Sequence, residues 1–542
     1  MIGTRPVALL GGVAFIAVAV GCARTEPEPA SPSIAQVRQV AYLKAANPDM
    51  GDHFACGGSL PGHIGSALAI STDGSTVVVG APHESSAARG INGDAADNSL
   101  YNSGAVYVFV RRGDAWVQQA YVKASNAGQS DLFGMTVALS ADGNTMAVSA
   151  PWERSAATGV NGDQNDDSMP QAGAAYVFTR SGDSWSQQAY IKASNTGRPA
   201  NADDPLADGD QFGSSLALSG DGNTLAVGAI TEDSAATGIN GNAADDAAQS
   251  AGAVYVFART GNTWTHQAYV KGSNTEAADL FGYDVSLSND GNTLVAAGYD
   301  EDGPGRGINV DQGNGTNGSG ALYVFSRTGT AWQQDAYLKG SRSEGNDALG
   351  FSIAISGDGS TIVAGAADEA CLVGGINPQG CNTDKPEDAS GGSAGAAYVW
   401  VRNGGTWTEQ AFLKASSPQL QDWFAANLAV SADGNTLLVG APMEDSRARG
   451  INGDEQDNSA VESGAAYLFR RTGTTWTQQA YMKADNAEEF DEFGTSVAVS
   501  GDGRTLITGA RMESGGAAGV NGNQNDNSAP QAGAVYVWAT AP

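Results

Sequence analysis

Residues 131–194 alternate between short apolar runs and polar breaks in an order that the rest of the chain repeats. The apolar runs follow Phe133-Gly134, then occupy Thr145–Ala150, residues 173–179 and residues 185–192. They are rich in Val, Ala, Tyr and Phe and alternate or nearly so, which predicts four strands. The first two are joined by Ala141-Asp142-Gly143-Asn144 and the last two by Arg180-Ser181-Gly182-Asp183, both short glycine-containing hairpin turns. Between the second and third lies a long polar loop, residues 152–172. The pattern predicts a four-stranded antiparallel meander.

The opening of this unit recurs as Asp131-Leu132-Phe133-Gly134, Asp210-Gln211-Phe212-Gly213, Asp279-Leu280-Phe281-Gly282, Asp347-Ala348-Leu349-Gly350, Asp422-Trp423-Phe424-Ala425 and Asp491-Glu492-Phe493-Gly494. An earlier, seventh copy is expected to begin near Ile64-Gly65, after an irregular insertion. The period of roughly 70 residues exceeds the ~40–50 of common propeller repeats, and the long loop accounts for the excess. A lone small sheet cannot bury both faces, but sheets in a radial array cover one another. The last copy stops after its third strand, while residues 39–45 near the start match the fourth strands of the other units. An N-terminal strand that completes the final sheet closes the ring and removes its edges. The expected fold is all-β: a seven-bladed β-propeller of four-stranded antiparallel blades over residues 36–542, its last blade completed by the N-terminal strand.

The Phe-Gly start, the Asp-Gly turn, Gly80-Ala81-Pro82 or Gly440-Ala441-Pro442, and the Gly-Ala-Val-Tyr-Val-Phe run at residues 104–109 together resemble FG-GAP repeats. These build the integrin α-subunit propeller and occur in many bacterial surface proteins. The resemblance implies the propeller and does not fix an activity. It also implies calcium between the first and second strands, in loops of the form D-x-D-x-D-G-x-x-D. Here that position has shrunk to Ser140-Ala141-Asp142-Gly143-Asn144-Thr145 and its equivalents, with one carboxylate on a tight turn. The family's calcium sites therefore do not transfer.

Residues 1–21 carry Arg5 and then an apolar stretch at 7–20, a secretory signal pattern. About 14 apolar residues is short against the ~20 that span a bilayer. Ala19-Val20-Gly21-Cys22 resembles a bacterial lipobox, which would make Cys22 the lipidated N-terminus of the mature chain. Ala23 rather than Asp follows it, which in the logic of such lipoproteins points to the outer membrane. Residues 22–35, with Glu26-Pro27-Glu28-Pro29, read as a semi-extended tether. The expected location is extracytoplasmic, as a bacterial outer-membrane lipoprotein or a secreted protein.

A net charge of −31 argues against nucleic acid or an anionic bilayer surface as partner. It leaves a protein or glycan ligand, contact with membrane through the lipid anchor only, and a monomeric ring. Cys371 and Cys381 flank a short loop segment and are expected to form a disulfide in an oxidising compartment. Cys56 reads as a buried thiol. His53 and His63 flank it, so a metal or nucleophile site is the alternative there.

Three repeated features could carry chemistry. Trp116, Trp185, Trp264, Trp332, Trp407 and Trp476 open the fourth strands, with Val37 at that position in the N-terminal strand; packing between sheets explains them better than sugar binding. Lys44, Lys123, Lys192, Lys271, Lys339, Lys414 and Lys483 lie near the end of every fourth strand and are expected on exposed edges, where charge discourages edge-to-edge pairing. The long loops carry Asn92, Asp94 and Asp97, then Asn161, Asp163 and Asp166, Asn452, Asp454 and Asp457, and Asn521 and Asp526. So many oxygens in a tight loop suit Ca²⁺, and they equally suit Asx-turns. The four His are scattered over unequal repeat positions, and no nucleophile elbow, H-E-x-x-H or phosphate-cradling motif occurs. The expectation is a binding or adhesion propeller without catalytic residues, with a glycan-binding or glycan-active propeller, or a structural envelope component, as alternatives.

Overall fold

The computed structural model describes residues 36–56, 66–197, 209–381 and 392–541. Ala35–Pro542 form one compact unit, and the signal, lipobox, tether and Cys22 fall outside the described residues. Every regular element among the described residues is a strand. They form seven antiparallel sheets; six run first to fourth strand along the chain, one of these with Gly450–Ile451 added outside its fourth strand, and the seventh takes its fourth strand from the N-terminal end. Blade 2 shows the plan with Val137–Leu139, Thr145–Ala150, Ala174–Ser181 and Ser184–Ile191. The second strand is buried along its whole length, while the fourth is exposed or half-buried over much of its first part and buried at its last three residues, as expected for an inner and an outer strand whose end is covered. First strands of six blades line a common cavity of about 250 Å³ through Leu68, Leu139, Leu216, Leu287, Leu428 and Val497, which places them on the ring axis.

Ring closure is as the sequence predicts. Val37–Leu43 pairs antiparallel with Ala534–Thr540, from Val37 opposite Thr540 to Leu43 opposite Val535. All seven third–fourth strand pairs carry a register shift at the same place, such as Val177/Phe178 in blade 2 and Gln39/Ala41 in the closing strand. An extra residue there increases local twist, which a radially stacked sheet needs. The Asp-Gly turns meet around the axis: Thr72 N–H donates to Ala141 O, Ala141 to Gly220, Gly357 to Ala432, Ala432 to Gly501 and Gly501 back to Thr72.

The Phe-Gly signature is an inter-blade joint. Phe133 donates its N–H to Ser103 O of the preceding blade, while its ring packs edge-on against Tyr176 and Phe178 of its own. Gly134 has φ +95° and a Cβ there would lie 2.4 Å from Ala105 O; a Cβ on Gly80 would lie 1.9 Å from Gly134 O. Three backbones meet with no room for a side chain, so the glycines are imposed by packing.

The same joint corrects one expectation. Blade 1 opens at Asp52-His53-Phe54-Ala55, not near Ile64. Phe54 N–H donates to Ala532 O and its ring meets Tyr107 and Phe109, as Phe133 does in blade 2. His53 and Ala55 have φ of 51° and 68°, matching the positive φ of Leu132 and Gly134. Ala in place of Gly hid the motif, and the insertion follows it rather than preceding it.

Candidate functional site

The long loops and the fourth-strand ends share one face of the ring, because a buried ion pair ties them together in every blade. Glu84, Glu153, Glu232, Glu301, Glu369, Glu444 and Glu513 lie just beyond the second strand. Each meets the fourth-strand lysine: Lys123 to Glu84 at 2.7 Å, Lys192 to Glu153 at 2.7 Å, Lys271 to Glu232 at 2.9 Å, Lys339 to Glu301 at 3.3 Å, Lys483 to Glu444 at 2.7 Å, and Lys44 to Glu513 at 2.9 Å. Lys414 pairs with Glu369 in blade 5. The lysines are fully buried, which overturns the expectation that they guard exposed edges. Sequence alternation gave the strand but not the loop that folds over its end. Burial depresses the lysines' affinity for protons, while the paired glutamates oppose that shift.

Neighbouring tyrosines complete the cluster. Tyr121 and Tyr190 donate to the same glutamates, Glu84 and Glu153, at 2.8 and 2.9 Å. Asn126 reaches from blade 2's entry into Glu153 at 2.9 Å and accepts from Tyr176 at 2.7 Å. Asn47, just past the closing strand, accepts from Tyr107 in the same way and so joins the last blade to the first. Blade 5 departs from this pattern: Phe412 replaces the fourth-strand tyrosine and Arg342 stacks over it at 4.5 Å, leaving the Tyr398 hydroxyl without a hydrogen bond among the described residues.

The loops themselves are folded by their polar side chains. Asn92 and Asn161, at φ 55° and 57°, accept from the backbone N–H of Tyr121 and Tyr190 at 2.9 and 3.0 Å; Asn452 and Asn521 do the same for Tyr481 and Tyr42. The preceding residues pair with the outer edge of the fourth strand, Ile91 with Val122 and Val160 with Ile191. The upper edge is thus covered by the loop. Asp94, Asp163 and Asp454 each accept from the N–H two residues on, at 3.0 Å. Asp97, Asp166 and Asp457 bridge the loop, taking Ala87, Ala156 and Arg447 N–H at 2.9, 2.9 and 3.0 Å. Hydrogen bonds from Ser99, Ser168 and Ser459 first, and from these amides next, hold the three carboxyls below the usual range. Asp526 accepts from Ser528 N–H at 3.1 Å. The geometry is that of Asx-turns.

On the opposite face, the Asp-Gly turns use their one carboxylate internally. Asp142 takes Ser140 Oγ at 2.6 Å and Asn144 N–H at 2.9 Å. The tryptophans near this face are packing residues, as expected: Trp185 is 5% exposed, donates to Gln119 of the preceding blade at 2.9 Å, and lies under the Arg180 guanidinium at 5.3 Å.

The structure joins Cys371 and Cys381, with Cα atoms 5.5 Å apart, in the long loop of blade 5. Cys56 is buried.

Family models for the FG-GAP repeat match residues 116–178, 264–325, 407–469 and 476–538, each from a fourth-strand Trp to the third strand of the next blade. The chain is an FG-GAP-repeat β-propeller. The four matched segments sit in phase with the seven blades. No curated protein matches the sequence. Solved structures that resemble it include a putative 6-phosphogluconolactonase from Bacteroides uniformis, at 11% identity and TM-score 0.42, covering 77% of this chain and 85% of that one. The RRP9 WD40 repeats match at 9% and 0.45, over 92% of this chain and 100% of that one, and U3-55K at 9% and 0.44, over 92% and 98%.

Two further features of this FG-GAP propeller's loop face were not legible in the sequence. Seven of the eight large hydrophobics exposed among the described residues lie on it: Met50, Tyr101, Leu420, Val461 and Phe490, with Leu372 and Val373. At the inner ends of blades 4 to 6, Tyr283 stacks on Tyr299 with centroids 4.3 Å apart, and Phe351 and Trp423 extend the cluster. Isolated apolar residues in polar loops carry no periodicity, so only the fold shows that they share a face.

Proposed function

We propose that this propeller is an extracytoplasmic binding or adhesion module, anchored through Cys22, that captures a protein ligand on its loop face. The observation that carries this reading is the one-sided placement of exposed apolar side chains on loops fixed by buried ion pairs. Scattered exposed hydrophobics need no explanation, whereas a set confined to one face of a rigid scaffold marks an interaction surface. The half-buried Tyr299 and Trp423 favour a second reading, a glycan stacked at the axial mouth. Acidic side chains between the apolar ones suit a ligand with basic or neutral groups. The signal pattern and lipobox support export and anchoring, and Cys22→Ser should shift the protein out of the detergent phase; unchanged partitioning rules the anchor out.

Calcium has a secondary part in this proposal. Asp94, Asp163 and Asp454 are exposed and spend one lone pair of four on the backbone, so a weak site near the ~10⁻⁴–10⁻³ M of extracellular modules fits outside the cell. Millimolar calcium should raise the melting temperature slightly and Asp163→Ala/Asp166→Ala should remove that rise. A rise abolished by Asp142→Ala instead would place the ion in the opposite turns.

Binding is tested by screening the Cys22→Ser protein against surface proteins and glycans. Tyr101→Ser with Phe490→Ser should weaken a captured protein by about tenfold or more, and Trp423→Ala a captured glycan. Arg112→Ala with Arg504→Ala, on the far face, should leave both unchanged. A ligand lost only with the far-face pair contradicts the proposal.

A further inference from the structure

At the axial end of blade 1, three side chains that could ligate a metal converge. His53, Cys56 and His83 each place a donor atom within 4.8 Å of the other two. His53 comes from the Asp-His-Phe-Ala opening, Cys56 follows it, and His83 follows Gly80-Ala81-Pro82. The two imidazoles lie with centroids 4.8 Å apart. No other blade offers such a set at these three positions: blade 2 has Leu132, Met135 and Trp152, and blade 3 has Gln211, Ser214 and Thr231. The repeat therefore does not require these residues for folding.

Each donor is held for the task. His53 is fixed by its backbone, which donates to Gln531 O at 3.1 Å, and Cys56 N–H closes a turn onto His53 O at 3.0 Å. The His53 ring meets the Gln531 side chain, yet its buried Nδ1 has no hydrogen-bond partner among the described residues. Asn102 holds the His83 ring. Cys56 is fully buried and in contact with the Arg511 guanidinium. Arg511 is itself balanced by Glu492 at 2.5 Å. A buried imidazole nitrogen with nothing to accept is costly unless something fills the place.

We propose that His53, Cys56 and His83 bind one late first-row divalent ion of the Zn²⁺ class. One thiolate with two imidazoles is a borderline-soft set that suits Zn²⁺, Co²⁺ or copper and discriminates against calcium and magnesium. A tetrahedral shell needs donors roughly 3.3–3.8 Å apart, so three donors within 4.8 Å of one another must close by up to about 1 Å around the ion. The fourth position opens on a cavity of about 590 Å³ lined by Met50, His53, His83, Tyr101, Trp152 and Gln531, with room for water or a ligand group. Gln531 and Asn102 orient the rings from behind, as outer partners do in metal sites. Met50 and Tyr101 belong to the loop face as well, so metal binding is measured with no captured ligand present.

The test uses chelator-treated full-length protein titrated with Co²⁺ and Zn²⁺. One Co²⁺ per chain is expected, with a thiolate-to-metal charge-transfer band and d–d absorption of tetrahedral strength, displaced by Zn²⁺. Cys56→Ser should abolish the charge-transfer band, and His83→Ala should weaken binding by about a hundredfold; circular dichroism shows that each variant remains folded. Zn²⁺ should also slow modification of Cys56 by a thiol reagent, which needs no variant. Failure to bind one ion per chain, a bound Co²⁺ without a charge-transfer band, or a band that survives Cys56→Ser would overturn the proposal.

Discussion

Seven of the chain's eight lysines are spent on one buried position, which makes the ion pair with the loop glutamate the residue that matters most to the repeat. Breaking a buried pair from one side leaves a charge without its partner in a site that water does not reach, at roughly 3–5 kcal/mol. Lys192→Met should therefore destabilise the protein by about that amount in urea titrations, while Arg112→Ala, at the exposed pair with Asp183, should change stability little. Restoring neutrality with Lys192→Met/Glu153→Gln should recover part of the loss. The aspartates that open the blades behave oppositely. Burial first, and for Asp131 the nearby Glu153 next, push Asp52, Asp131, Asp279 and Asp491 up to about 7 and Asp422 to about 8. A carboxyl whose folded pKa lies above its unfolded value contributes stability that is full below about pH 4 and is lost as pH rises through 7 to 8. The protein should melt at a higher temperature at pH 5.5 than at pH 8.5, and Asp131→Asn should flatten that dependence; a higher melting temperature at pH 8.5 would contradict the assignment.

At the scale of elements, strands and loops were not equally readable. Strand positions follow from period-two alternation, and the second strands, buried on both faces, are marked by the tight Asp-Gly turn before them and the long polar loop after them. The partners of polar residues were not readable, since alternation reports which face a side chain takes and says nothing of what lies over it. Lys123 reads from alternation alone as an edge charge, and the loop at Glu84 covers it. Asn161 and Asp166 kept two readings open because carboxylates and amides satisfy a cation and a backbone N–H with the same oxygens; the bonds to Tyr190 and Ala156 choose the turn for the loop's shape. In blade 5, where Asn377-Pro378 degenerates the loop, the Cys371–Cys381 bond supplies a covalent closure instead. Closing so short a loop is worth on the order of 2–3 kcal/mol. Peptide mapping without reductant should recover the two segments linked, and Cys371→Ser/Cys381→Ser should lower stability by at most that amount.

For the whole molecule, closure and preorganisation decide the behaviour. The ring has no open sheet because the N-terminal strand supplies the last blade, and Asn47 and Tyr107 then lock that blade to the first. Deleting residues 36–46 should expose the edge of Ala534–Thr540 and the buried Tyr536, giving aggregation or a large fall in melting temperature; a truncated protein that melts like the parent would mean another closure. The proposed binding face needs loops that are ordered before any ligand arrives, and here buried ion pairs and Asx-turns supply that order. Native-state hydrogen exchange of the protein alone, in chelator, tests this most directly. The account predicts that the loop amides of Asn92, Asn161, Asn452 and Asn521, bonded to fourth-strand carbonyls at 2.7–2.8 Å, exchange nearly as slowly as the strands they cover. Exchange of those amides at the rate of an unstructured peptide would contradict it.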